Sequence, residues 1–169
     1  SEALALMQQK PDKQSDNSTG YEKALEKFKT VRNQHPSTKA GKASLFYAGV
    51  CAFHMKQYDD AIAYYKDFLE NAGTSLNYLQ SCAYEGMGYA YEMKQQYTEA
   101  LVWFERQQKD GPAAVTSKAL LNLARCYEAQ GDVNAACSRY KEFLEKYPAS
   151  SLKDLAKLKT DMLCKKTLS

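Results

Sequence analysis

The chain has 169 residues, of which 44% are hydrophobic and 25% charged, with a formal net charge of +3. That balance excludes a disordered chain, which lacks the apolar side chains to offset the entropy of folding, and the length indicates one domain. The small positive charge makes no concentrated basic stripe, so no nucleic acid partner is indicated. No run approaches the roughly 20 apolar residues of a membrane span.

Proline (4) and glycine (8) are scarce, while Ala, Leu, Glu, Lys and Gln, which lose little side-chain entropy in a helix, are common. In chain order the periodicity predicts a helix over 2–10, then a polar, turn-rich loop from Lys10 to Gly20. Helices follow over 21–34, 38–55, 58–70, 76–94, 97–109, 113–129, 133–146 and 150–164, with Ser37, Ser117 and Ser150 as candidate N-caps. The last, with Leu152, Leu155, Leu158, Met162 and Leu163 among lysines, is read as a cap that closes the apolar stack, the alternative being a docking helix for a partner.

The segments repeat. Tyr58, Ala61 and Tyr65 recur as Tyr97, Ala100 and Phe104, as Val133, Ala136 and Tyr140, and as Tyr21, Ala24 and Phe28. Upstream of three of these stand Leu45-x-x-Ala48-Gly49-x-x-Ala52, Tyr84-x-x-Met87-Gly88-x-x-Tyr91 and Leu120-x-x-Leu123-Ala124-x-x-Tyr127. Pro36, Pro112 and Pro148 follow the anchoring alanines by twelve residues, and Gly73 takes that place once. The pattern resembles that of the tetratricopeptide-repeat family, which implies helices in antiparallel pairs. A small residue at Gly49, Gly88 or Ala124 lets the second helix approach, and the aromatic four residues after each alanine fills the space toward the next pair. The 13 tyrosines are read as reuse of fixed packing positions rather than as a sticky surface.

These motifs resemble the tetratricopeptide-repeat family over nearly the whole length. The resemblance implies an all-α, right-handed α-solenoid over 1–169, with repeats at roughly 1–36, 42–75, 81–114 and 117–150 and a capping helix over 150–164. It also implies a scaffold for protein or peptide partners, with the first helix of each pair lining a groove. By register the wall residues are Ala43, Phe46, Val50, Phe53 and His54, then Cys82, Glu85, Tyr89, Glu92 and Met93, then Lys118, Leu121, Arg125, Glu128 and Ala129. The wall runs from apolar and aromatic to charged. Family members that clamp a chaperone C-terminus use Lys and Asn where Phe46 and Val50 stand, and only Lys118 matches, so that partner is not expected.

No catalytic, cofactor or metal site is indicated. His35 and His54 fit no metal-ligand spacing, and Gly86-Met87-Gly88 lies inside a helix without the third glycine of a phosphate loop. Asp59-Asp60, Glu92 and Glu128 are read as solvated helix faces.

His35-Pro36-Ser37-Thr38 and Tyr147-Pro148-Ala149-Ser150 resemble the junctions of bacterial cell-envelope tetratricopeptide proteins. These include the ancillary subunit of the protein translocon, the cell-division coordinator linked to the Tol system, and outer-membrane assembly lipoproteins. This resemblance implies a periplasmic module, and the start at Ser1 rather than Met fits an upstream anchor or signal segment. The five cysteines (Cys51, Cys82, Cys126, Cys137, Cys164) form no C-x-x-C pair. They point instead to free thiols in a reducing compartment and a cytosolic adaptor.

Overall fold

The computed structural model describes Glu2, Leu4, Ala5 and residues 18–164. Among these lie eight α-helices: α1 (Ser18–Gln34), α2 (Lys39–His54), α3 (Tyr58–Asn71), α4 (Asn77–Met93), α5 (Tyr97–Asp110), α6 (Ala113–Gln130), α7 (Val133–Lys146) and α8 (Lys153–Cys164). A 3₁₀ turn, Thr74–Leu76, precedes α4. The remainder of the predicted 2–10 helix and the loop up to residue 17 lie outside the described residues. Ser18, Thr19 and Gly20, expected in that loop, form the first turn of α1. A first turn needs no preceding carbonyls, so the helix extends backward at little cost.

Each helix packs on the next in sequence, and α4 also touches both α2 and α6 directly, whereas α3, α5 and α7 barely meet. The stack is therefore tighter on the side of α2, α4 and α6, and bends with those helices inward.

Small residues set the spacing. Ala24, Ala61, Ala100 and Ala136 are all fully buried. The Tyr65 ring of α3 lies between two glycines: a Cβ at Gly49 of α2 would stand 2.7 Å from its Cε1, and one at Gly86 of α4 would stand 2.6 Å from its Cζ. One ring thus fills the notch in its own pair and in the next. Phe104 occupies the equivalent notch at Gly88. One turn further along the second helices, Phe68 and Phe143 are fully buried. Between them in the series stands Gln107, equally buried, whose amide N and O find no protein partner.

The turns inside the pairs are alike. Gln57, Gln96 and Asp132 donate their backbone N–H to Ala52, Tyr91 and Tyr127, five residues back, at 2.9, 2.9 and 3.0 Å, the bond of a Schellman motif. The residue before each is left-handed: Lys56 at φ 62°, Gln95 at φ 59° and Gly131 at φ 83°.

Four details of the sequence reading are corrected. Thr38, not Ser37, caps α2, its Oγ1 accepting from Gly41 N at 3.0 Å. Ser117 lies inside α6, which starts after Pro112, and Ser150 accepts from Leu152 N within the turn before α8. Proline serves before α6 because the first-turn N–H is dispensable. Finally, Cys137 and Cys164 form a disulfide with Cα atoms 5.6 Å apart, where free thiols were expected. Their pairing depends on α8 folding back onto α7, a geometry that cysteine spacing alone does not carry. Cys51, Cys82 and Cys126 are thiols.

Candidate functional site

The inward helices α2, α4 and α6 form a wall whose two halves differ in chemistry. On α2, Val50 and Phe53 are half-buried and His54 is exposed. Phe53 meets Tyr58 at 5.5 Å, and His54 stacks on Tyr21 with centroids 4.5 Å apart. Partial desolvation of the ring lowers the His54 pKa. Met93, at the end of α4, is 56% exposed.

Phe46, expected on this wall, is a correction. It is 9% exposed and packs among Tyr47, Tyr65 and Phe68. A ring at that position reaches sideways into the seam between α2 and α3, and burying it there stabilises by roughly 1.5–3 kcal/mol relative to leaving it in water.

Between α4 and α6 the wall is a ladder of ion pairs. Lys118 pairs with Glu85 at 2.7 Å, and Arg125 pairs with Glu92. Tyr89 stands between these rungs. Its hydroxyl reaches Glu85 and Asn122, both at 3.1 Å, while Arg125 lies 5.5 Å and Lys118 6.0 Å from its ring centroid. Burial, then the Glu85 charge, raise the Tyr89 pKa. Burial pulls the Lys118 pKa down, but the bond to Glu85 together with the charges of Tyr89, Glu85 and Cys82 outweighs it and the net direction is up. Leu121 is half-buried beside them, against the cluster of Leu120 and Tyr140.

A third rung leaves α6 for α8: Lys159 donates to both Glu128 carboxylate oxygens, at 2.7 and 3.0 Å, and the Tyr140 hydroxyl bonds the same group at 3.2 Å. Glu92 and Glu128, read as solvated, are thus partnered, and Asp59 pairs with Lys94.

The sequence reading missed one stretch of the wall. Ala156 is fully buried, as are Ala83 and Ala119. Aligning the three places Leu155, Leu158 and Met162 at the positions of Cys82, Glu85 and Tyr89 on α4 and of Lys118, Leu121 and Arg125 on α6. They are 50%, 56% and 57% exposed, so α8 continues the wall with an apolar stripe. The buried alanine, rather than the leucines, was the signal that could have found it.

Among the described residues no group of three His, Cys, Asp or Glu side chains could hold a metal ion, and no helix is long and apolar enough to cross a membrane.

This is a fold of the tetratricopeptide type: paired helices, small residues at the contacts, and an inward wall. Residues 43–75 and 118–150 match the model of the tetratricopeptide repeat. Two solved structures are similar in fold. A Podosopora anserina protein designated a kinesin light chain, with nearly identical TPR-like repeats, aligns at TM-score 0.67 and 15% identity over 88% of this chain and 73% of its own. A point variant of that protein aligns at TM-score 0.67 and 14% identity over 89% and 73%. No curated protein sequence matches this chain.

Proposed function

We propose that this chain is a non-catalytic scaffold that holds a protein or peptide partner along the inward wall of α2, α4 and α6. One observation carries the reading: the wall's charges are already matched to each other, Glu85 to Lys118, Glu92 to Arg125 and Glu128 to Lys159, while Phe53, His54 and Met93 have no charged partner among the described residues. A partner therefore gains most by covering apolar and aromatic surface, and the ladder supplies shape and polar edges.

The test is cross-linking capture with the double variant Phe53→Glu, Met93→Glu. Capture of protein partners falls while far-ultraviolet circular dichroism is unchanged. Capture equal to that of the unaltered chain refutes the groove assignment.

We place the scaffold in the bacterial periplasm, anchored by a segment upstream. The Cys137–Cys164 bond supports this placement, because disulfides persist in oxidising compartments, as do the Pro-Ser/Thr junctions noted above. The alternative is a cytosolic adaptor using the same groove, favoured by the three thiols Cys51, Cys82 and Cys126. Protease accessibility in cells with a permeabilised outer membrane separates the two. Digestion only after the inner membrane is broken refutes the periplasmic placement.

A further inference from the structure

We propose that α8 is a cap held by the Cys137–Cys164 bond and released by dithiol reduction. The non-covalent hold on α8 is thin. Ala156 is its one fully buried residue, whereas α7 buries Ala136, Cys137, Tyr140 and Phe143. Leu155, Leu158 and Met162 stand at least half exposed. A polar hold is the Lys159–Glu128 pair, whose side chains are 32% and 29% exposed, and a partly hydrated pair of that kind contributes little. Leu163 adds a half-buried contact to the cluster of Leu120, Ala124, Tyr140 and Phe143.

Against this stands a covalent link from α7 to the last residue of α8, closing 27 residues of chain. It fastens the helix at the end farthest from the Tyr147–Ser150 turn, which already tethers the other end. Both ends are then fixed, and the helix keeps its place without a large apolar face.

The bond is open to exchange on one side. Cys137 is buried, while Cys164 is half-buried at the helix terminus. A thiolate of a small dithiol or a dithiol protein attacks Cys164 Sγ, and the S–S electron pair leaves on Cys137 Sγ, which takes up a proton. The second thiol of the reductant then attacks the mixed disulfide and closes its own disulfide. The Cys164 thiolate departs and is protonated, so two electrons and two protons have moved from reductant to protein. Freed at its far end, α8 loosens, uncovering Tyr140 and Phe143 and removing the apolar stripe of Leu155, Leu158 and Met162 from the wall.

The test uses the full chain and dithiothreitol, with hydrogen exchange read by mass spectrometry. Before reduction, denatured protein takes up alkylating reagent at Cys51, Cys82 and Cys126 alone. After reduction in the native state, amide protection of residues 153–164 falls by at least about 10-fold, while α2 to α5 keep theirs, as expected of one locally opening unit. Cys164→Ser reproduces the loosened state without reductant, and Cys137→Ser does so independently. Alkylation of Cys137 and Cys164 before reduction overturns the proposal, and so does protection of α8 that is unchanged in the reduced chain and in Cys164→Ser. These readouts are separate from partner capture at Phe53 and Met93, so the cap and the groove stand or fall apart.

Discussion

Gly86→Ala tests the packing logic most directly. In an open helix this change stabilises by about 1 kcal/mol, because alanine has the higher helix propensity. Here the new Cβ would stand 2.6 Å from Cζ of Tyr65. The ring has little room to retreat, since it already fills the notch at Gly49, where an added Cβ would stand 2.7 Å from Cε1. Overpacking of this kind costs about 1–3 kcal/mol, so the net effect runs from near zero to a loss of about 2 kcal/mol. A double-mutant cycle removes the ambiguity. In a Tyr65→Leu background the ring is gone and Gly86→Ala becomes stabilising by about 1 kcal/mol, giving a coupling of roughly 1–3 kcal/mol, well above the few tenths seen for independent sites. The assay is urea unfolding followed by far-ultraviolet circular dichroism for all four proteins. A coupling below about 0.5 kcal/mol, or stabilisation by Gly86→Ala with Tyr65 present, would refute the claim that the ring and the glycines are one packing unit.

Gln107→Met keeps the volume and removes two buried, unpartnered polar atoms, so the urea midpoint rises, by about 1–3 kcal/mol in stability; a lower midpoint would mean that the amide is well satisfied. Gln95→Gly relieves a left-handed residue and stabilises by about 0.5–1 kcal/mol after the entropy of glycine is deducted, while Gly131→Ala loses about 1 kcal/mol, both read from the same unfolding curves. Burial pushes the Cys51 thiol up to about 12 and the Cys126 thiol up to about 11, from an ordinary value of 9.0. Because the folded values are raised, the stabilisation they report is complete below pH 9 and is lost as pH rises toward 11 and 12. Cys51→Ala with Cys126→Ala therefore flattens the alkaline fall in stability, and an unchanged slope between pH 9 and 11 contradicts the assignment.

The helices were legible because their signal is local. Alanines at 24, 61, 100 and 136, each followed four residues later by a ring, mark the second helix of a pair, and observed ends fall close to the predicted ones. The wall was legible only as a list of positions. Its chemistry depends on what stands opposite, 31 to 33 residues away in the chain for Glu128–Lys159 and Glu92–Arg125, and no local pattern encodes that match. Phe46 shows the same limit from the other side. Register assigned it to the groove, but Phe68 and Tyr65 offered the ring a drier place. The disulfide and the stripe on α8 were hidden for one shared reason: both depend on α8 folding back onto α7 with Ala156 buried, a long-range placement that no local pattern carries.

The ladder has a mechanical corollary. Its rungs join neighbouring pairs along the inner side of a bent rod, like stitches across the inside of a fold, while the outer helices have the fewer ties of Asp59 to Lys94 and Arg32 to Asn71 among the described residues. Each stitch is electrostatic and partly hydrated, and added salt shortens the reach of such forces to a few ångströms. Ionic strength therefore sets how stiffly the rod holds its bend: taut in dilute solution, slacker in brine, with the apolar packing at Tyr65 and Phe104 left to keep it in one piece.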